Sequence, residues 1–195
     1  YGVTVRDNTF TTVNFTVNYC AFHDYLVGTC YGIRIDASTL GTYSFSYNVA
    51  TNATSSGFGI AISTAVSSSP APAMDNNVVM GWSAGITSAD NGVTLTNNVA
   101  ANVTGSGFTL QEINGSVGTV TGNIAYSCST GFTFTRAVGS IGANTAYRNT
   151  VGVSATSGST NDTILTSWKV FANTTNFGVG GTSGRTGRSI IIASA

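Results

Sequence analysis

Charged side chains are scarce in this 195-residue chain, where Asp, Glu, Lys and Arg make up 7% of residues against about 25% in an ordinary soluble domain. Seven basic residues balance seven acidic ones, so the formal net charge is zero. No basic stripe is present that would match a phosphate backbone or anionic lipid. Nucleic acid is therefore not an expected partner.

Long apolar runs are also missing, because Gly, Asn or Thr interrupts each one well before the roughly 18 residues that a membrane span needs. Membrane insertion is not expected. Disorder is excluded by the 42% hydrophobic content and the ten Phe residues. Strong helix formers are few, whereas Val, Thr, Ile, Phe and Tyr alternate with other residues, as in Phe108-x-Leu110 and Phe132-x-Phe134. This pattern predicts an all-β protein.

An internal repeat begins at an asparagine followed by two small or apolar residues, and a glycine comes eight or nine positions later. Lys169 opens a further unit with Lys in place of Asn, and Asn18 opens a degenerate early one. Short strands in units of this length predict a right-handed parallel β-helix of about seven rungs, forming a single domain over residues 1–195 that is a piece of a longer chain. The repeated asparagines, spaced 29, 21, 25 and 21 residues apart, are predicted to stack in a column at one corner: Asn48, Asn77, Asn98, Asn123 and Asn144.

One rung resembles a known family. The run that begins Asn98-Val-Ala-Ala-Asn and continues through Gly107-Phe-Thr-Leu-Gln-Glu112 is similar to the β-helix segment of fibrocystin-like and hyaluronan-depolymerising G8-domain proteins. Gln111-Glu112 stands where that family usually has Glu-Asp. The resemblance implies an extracellular parallel β-helix.

Asn-x-Ser/Thr sequons predict N-linked glycans and an extracellular, secreted or cell-surface location. Three of them follow their unit's leading position by four residues and are predicted to project from one corner as a column. These three are Asn52, Asn102 and Asn173, and the other sequons are Asn14, Asn114 and Asn161.

Only three cysteines and one histidine occur. Cys20 and Cys30 are close in sequence and are predicted to form a disulfide, whereas Cys128 is predicted to pack as a small apolar side chain. No metal and no cofactor is expected, because there is no paired CxxC motif and His23 is the single histidine.

Catalysis on a polysaccharide needs paired carboxylates, or a base beside a metal or an arginine. The acidic residues are scattered, and only one stretch is dense enough to suggest a site; its residues are Asp7, His23, Asp24, Arg34 and Asp36. The same residues are typical of polar corners and loops. Three basic residues in successive units, Arg136, Arg148 and Lys169, suggest contact with an acidic sugar, or simple solvation.

The sequence favours a non-catalytic, glycosylated extracellular structural module such as a fibre, stalk or matrix scaffold. Its expected partners are covalent glycans and either neighbouring domains or copies of itself stacked end to end. The alternative is a β-helix module that binds or cleaves carbohydrate. An ice-binding surface is disfavoured because pairs such as Thr133 and Thr135 do not repeat at one place in successive units.

Overall fold

The computed structural model describes residues 2–7, 14–23, 30–37, 42–53, 56–62, 72–89, 93–111, 119–135, 140–156, 163–180 and 190–193. Every regular element in these ranges is a short β-strand, which confirms the all-β prediction. The strands are β1 (Val3–Asp7), β2 (Phe15–Asn18), β3 (Ala21–Phe22), β4 (Tyr31–Ala37), β5 (Tyr43–Ser46), β6 (Val49–Thr51), β7 (Phe58–Ile62), β8 (Ala73–Asp75), β9 (Val78–Met80), β10 (Ala84–Ser88), β11 (Thr94–Thr96), β12 (Val99–Ala101), β13 (Ser106–Leu110), β14 (Val120–Thr121), β15 (Ile124–Tyr126), β16 (Thr130–Phe134), β17 (Ser140–Ile141), β18 (Thr145–Tyr147), β19 (Val151–Thr156), β20 (Thr163–Thr166), β21 (Lys169–Phe171), β22 (Thr175–Gly180) and β23 (Ile190–Ala193).

The strands form parallel sheets in which neighbouring strands are three places apart along the chain. Sheet A has the order β1-β4-β7-β10-β13-β16-β19-β22, and sheet C has the order β3-β6-β9-β12-β15-β18-β21. Sheet B contains β2-β5-β8-β11-β14, and sheet D contains β17-β20-β23. The chain therefore winds as a parallel β-solenoid with three faces per turn, which confirms the predicted β-helix.

The number of turns differs slightly from the predicted seven. About five turns run continuously through all three faces, because sheet B holds five strands and ends at β14. On that face the chain then forms the separate three-stranded sheet D. The break lies between β14 and β17, which do not pair although the sheet A and sheet C strands around them stay in register.

Apolar side chains fill the interior in files that run along the stack. In sheet A, Ile33 pairs with Ile60, Ile86 follows, and Phe108 and Phe132 continue the file. All five are fully buried, and the rings of Phe108 and Phe132 stack with centroids 4.7 Å apart. Like residues in register therefore bury one another, and each rung supplies the floor for the next.

A second buried file consists of the repeat glycines in sheet A. A Cβ on Gly85 would overlap the carbonyl oxygen of Gly107, and a Cβ on Gly107 would lie 2.9 Å from the carbonyl oxygen of Gly131. No side chain fits in that space without moving backbone atoms. The glycine of each repeat is thus required by close approach between rungs.

Two corners per turn contain residues with left-handed backbone conformation, which asparagine and glycine adopt most readily. The first corner precedes sheet C and includes Tyr47, Asn76 and Asn97, with φ between 54° and 58°. The second corner follows sheet C and includes Asn102 and Arg148, with φ of 52° and 57°. These residues turn the chain from one face to the next.

The asparagine ladder lies directly after the first corner. In its first four members, Nδ2 donates a hydrogen bond of 2.9 Å to Oδ1 of the next member. That same Oδ1 also accepts the backbone N–H of the member before it, at 2.9 to 3.0 Å. The second Nδ2 hydrogen of every member reaches a carbonyl oxygen of the preceding rung, at 2.8 to 3.1 Å. Every amide hydrogen of an inner member is satisfied, which is why these polar groups can be buried. The members are Asn48, Asn77, Asn98, Asn123 and Asn144.

Two flanking positions differ from the sequence alignment. Cys20, rather than Asn18, occupies the ladder position before Asn48, because the Cys20 N–H donates to Asn48 Oδ1 at 3.1 Å. At the other end Trp168, rather than Lys169, follows Asn144, because Lys169 pairs with Thr145. The Trp168 indole N–H donates to the Ile141 carbonyl at 3.3 Å, so it makes the same type of bond to the preceding rung as the ladder amides.

Candidate functional site

A groove with a volume of about 750 Å³ follows the second corner along the stack. Four successive rungs contribute to it, so it runs parallel to the solenoid axis. We call it the corner groove, and its lining consists of Asn102, Val103, Thr104, Ser127, Cys128, Ser129, Arg148, Asn149, Thr150, Ala172 and Thr174.

The floor of the corner groove is a second polar ladder. The Asn149 Oδ1 accepts the Cys128 N–H at 2.9 Å, and the Asn173 Oδ1 accepts the Asn149 N–H at 2.8 Å. Asn149 Nδ2 also donates to Asn173 Oδ1 at 3.0 Å and to the Ala125 carbonyl at 3.2 Å. Trp82 fills the same position in an earlier rung, where its indole N–H donates to the Ala50 carbonyl at 3.0 Å. The floor is therefore fixed by hydrogen bonds and has little freedom to move.

Exposed hydroxyl groups line one side of the groove at equivalent positions. The Ser129 N–H bonds to the Val103 carbonyl, the Thr150 N–H bonds to Cys128, and the Thr174 N–H bonds to Asn149, so the hydroxyl residues follow one another rung by rung. We call them the hydroxyl column: Thr104, Ser129, Thr150 and Thr174, all of which are exposed. Adjacent members are about 4.8 Å apart, the spacing of neighbouring strands.

Among the described residues that line the groove, Arg148 is the single charged side chain. It is exposed, and no acidic side chain of the described ranges pairs with it. Its φ of 57° lies in the left-handed region. The equivalent corner positions of the three preceding rungs are Gly81, Asn102 and Ser127, which are also left-handed. Arginine has no intrinsic preference for that conformation. The groove is accordingly polar and electropositive.

Aromatic side chains stack along sheet C on three of the rungs that form the groove. Tyr126 and Tyr147 stack with centroids 5.4 Å apart, and Tyr147 stacks on Phe171 at 5.5 Å. Phe171 is 50% exposed, and both tyrosines are half-buried. Each of these residues immediately precedes a groove residue on its own rung.

The described part of the chain places the predicted catalytic residues on two different faces of the solenoid. Asp7 and Arg34 belong to strands β1 and β4 of sheet A, whereas His23 follows β3 of sheet C and is exposed. Asp24 lies outside the described residues. Arg34 and Asp36 form an ion pair of 2.6 Å, and the Arg34 guanidinium lies 4.3 Å above the Tyr31 ring.

Two buried polar atoms at and beside Arg34 lack hydrogen-bond partners among the described residues. Arg34 Nε and Thr4 Oγ1 are buried and have no hydrogen-bond partner in the described part of the chain, and the two residues are register neighbours. Within those residues, the arrangement is one ion pair on the outer side of a sheet.

The three aligned sequons do not form one column. Asn52 is buried, and its Nδ2 donates to the Ser56 carbonyl at 2.6 Å. Asn173 belongs to the second ladder, one position later than Asn102, because Trp168 and not Lys169 begins its rung; its Nδ2 donates to the Ala146 carbonyl at 3.0 Å. Asn102 and Asn14 are exposed. Asn114 and Asn161 lie outside the described residues.

The structure does not support the predicted Cys20–Cys30 disulfide, because none of the three cysteines forms a disulfide in it. Cys20 lies at the first corner before β3, whereas Cys30 directly precedes β4 of sheet A, so the two occupy different faces. Cys128 is buried in the second ladder, and its Sγ lies 3.6 Å from the Ala100 carbonyl. Burial raises the pKa of the Cys128 thiol above its ordinary value, and hydrogen bonds to the backbone of Val103 and Tyr126 oppose that rise.

Threonines on the outer side of sheet A repeat more regularly than the sequence suggested. Thr87 pairs with Thr109, Thr109 pairs with Thr133, and Thr133 pairs with Ser154. The next outward position is mixed, because Thr135 follows Gln111 in register. One hydroxyl file therefore exists on this face, but not the paired file that an ice-binding surface would present.

These features define the chain as a parallel β-helix repeat protein with a polar groove along one corner. Over residues 2–186 it matches the family model described as periplasmic copper-binding protein (NosD), and it belongs to that family. The family's description agrees, at a coarse level, with the expected location outside the cytoplasm. Neither the comparison with curated proteins nor that with solved structures found a match. The resemblance to fibrocystin-like and G8-domain proteins is not shown by these comparisons.

The copper named in the family description does not fit the described residues. No group of three or more His, Cys, Asp or Glu residues within them is arranged to hold a metal ion. Met74 is fully buried in the core, and the raised pKa of Cys128 disfavours the thiolate that would bind a metal. In the same part of the chain, no helix is both long and apolar enough to cross a membrane.

Proposed function

We propose that this chain is a non-catalytic structural module that works outside the cytoplasm as a stiff spacer or scaffold. The observation that supports this proposal most is the pair of polar ladders, which link each rung from Asn48 to Asn173 to the next by side-chain hydrogen bonds as well as by sheet pairing. A solenoid of this kind behaves as a short rod, because each rung contacts its neighbours.

The distribution of charge and acidic groups supports the non-catalytic part of the proposal. Asp36 is engaged by Arg34, and His23 lies on another sheet. The sequon at Asn14 is exposed and lies outside the corner groove, so a glycan attached there would add a hydrated coat to a surface poor in charge. Head-to-tail stacking of copies, or docking to neighbouring domains, would extend the rod.

Depolymerisation assays test the proposal directly. Purified protein is incubated with polygalacturonate, alginate and a soluble β-glucan, and new reducing ends and unsaturated products are measured. We expect none above a buffer control. Cleavage that is lost in Asp36→Asn or His23→Ala, with the thermal midpoint unchanged, would show that the module is an enzyme and would refute the proposal.

A further inference from the structure

The corner groove combines three features that together suit a carbohydrate chain. It is open and elongated, its hydroxyl column offers one donor and acceptor per rung, and a stack of aromatic rings immediately precedes it on three of its rungs. Sugars present hydroxyl groups at their edges and C–H groups on their faces, so hydroxyl groups near an aromatic stack are a complementary arrangement.

The repeat distance of the groove favours an extended polymer over a small molecule. Thr104, Ser129 and Thr150 belong to successive rungs about 4.8 Å apart, and a pyranose residue in an extended chain is about as long as one rung spacing. Each rung can therefore meet one sugar residue. A single monosaccharide would use only a quarter of the four-rung groove.

The charge of the groove selects among such polymers. Arg148 projects from the second corner without an acidic partner in the described ranges, and no carboxylate is present in the lining. A guanidinium presents paired N–H donors that match a carboxylate.

We propose that the corner groove binds a linear uronic-acid polysaccharide lengthwise, with one carboxylate on Arg148 and sugar hydroxyls on the hydroxyl column. Tyr147 and Phe171 contact the apolar faces of the sugars. The polysaccharide is bound and not cleaved. A nucleic acid does not fit as well, because one cation cannot neutralise a row of phosphates.

Calorimetric titration with defined oligosaccharides tests the proposal. The probes are a galacturonic-acid hexamer and a mannuronic-acid hexamer as acidic arms, with cellohexaose as the neutral arm. At low salt we expect at least one acidic hexamer to bind about tenfold more tightly than cellohexaose. The two acidic arms distinguish which uronate geometry fits. No binding of either acidic hexamer at millimolar concentration would overturn the proposal.

Two matched pairs of variants locate the site. Arg148→Gly removes the charge at a position where glycine suits the backbone, and we expect it to abolish the acidic preference with about a tenfold loss of affinity. Lys169→Gln makes the same change in net charge outside the groove lining and should leave affinity unchanged. Thr150→Val should weaken binding severalfold, whereas Thr87→Val on sheet A should not.

Circular dichroism and the thermal midpoint establish that each variant is folded. Equal losses in Arg148→Gly and Lys169→Gln would mean a diffuse charge effect and would refute the site. Cleavage of a bound hexamer would instead refute the non-catalytic function proposed above, while leaving the groove assignment intact. The two proposals therefore fail through different results.

Discussion

At the scale of single residues, the buried asparagines account for most of the specificity of the stack. Asn98 is fully buried, donates to the Met74 carbonyl and to Asn123 Oδ1, and accepts two hydrogen bonds from Asn77. Replacing it leaves partners on both neighbouring rungs unsatisfied. Such groups are costly when water cannot reach them.

Asn98→Ala should lower the free energy of unfolding by about 3 to 5 kcal/mol, because each unsatisfied buried partner costs about 1 to 3 kcal/mol. Urea unfolding monitored by circular dichroism measures the change. Asn97→Gly is the matched control, since Asn97 is exposed and left-handed, and it should change stability by less than about 0.5 kcal/mol. Equal effects of the two substitutions would contradict the ladder.

The Cys128 thiol predicts a loss of stability at alkaline pH. Because its pKa is raised in the folded protein, the unfolded chain releases the thiol proton first as pH increases. The stabilising contribution is complete below the ordinary thiol pKa of about 8.5 and is lost as pH rises through the folded value. Stability measured at pH 7 and pH 9.5 should fall more in the native protein than in Cys128→Ala. An identical fall in both would contradict the assignment.

At the scale of elements, the pairing of sheet A requires the repeat glycines. Gly85→Ala should destabilise the protein by at least about 2 kcal/mol, since the added Cβ would overlap backbone and one rung would have to shift. Gly178→Ala is the control, because its Cβ would meet other atoms only at 3.3 Å or more. Thermal unfolding of both variants makes the comparison, and similar midpoints would argue against close packing of the glycine file.

The sequence predicts best the positions at which hydrogen bonding or close packing allows only one type of residue. Asparagine recurs at the position of Asn98 because a buried amide must be fully hydrogen-bonded. Glycine recurs at the position of Gly107 because the backbones of adjacent rungs approach too closely for a side chain. Trp168 and Cys20 were not predicted as ladder residues, because the ladder position requires only a side chain or backbone group that bonds to the adjacent rung. An alignment by residue type does not show that Trp, Cys and Asn can meet this requirement equally. An alignment on indole and amide donors together would have found Trp168.

The corner groove was harder to predict than the ladders. Thr104, Ser129 and Thr150 are 25 and 21 residues apart, and serine and threonine are common everywhere in this chain. Only the register of the neighbouring strands brings these hydroxyls into line. The sequence indicates Arg148 as a contact for an acidic sugar. It does not indicate which residues lie beside Arg148 in the groove, because their placement depends on the left-handed second corner, which composition does not reveal.

At the scale of the whole molecule, the geometry limits where glycans can be attached. Asn52 and Asn173 use their Nδ2 groups in hydrogen bonds to carbonyl oxygens, so in the folded protein these sequons should carry no glycan. Asn14 and Asn102 are exposed and available. Glycopeptide mass spectrometry of protein secreted from a glycosylating host makes the test, and full occupancy at Asn52 would contradict the burial of its side chain.

The central claim is that successive rungs stack into one stiff rod, and the distance between two first-corner positions tests it most directly. Tyr47 and Ser167 are both left-handed corner residues, five rung steps apart along the ladder. Spin labels introduced at these two positions through a keto amino acid leave the cysteines untouched. Pulsed electron resonance should give a narrow distribution that corresponds to a backbone separation of about 24 Å, unchanged by added oligosaccharide. A broad distribution, or one centred well away from that separation, would contradict the stacked solenoid.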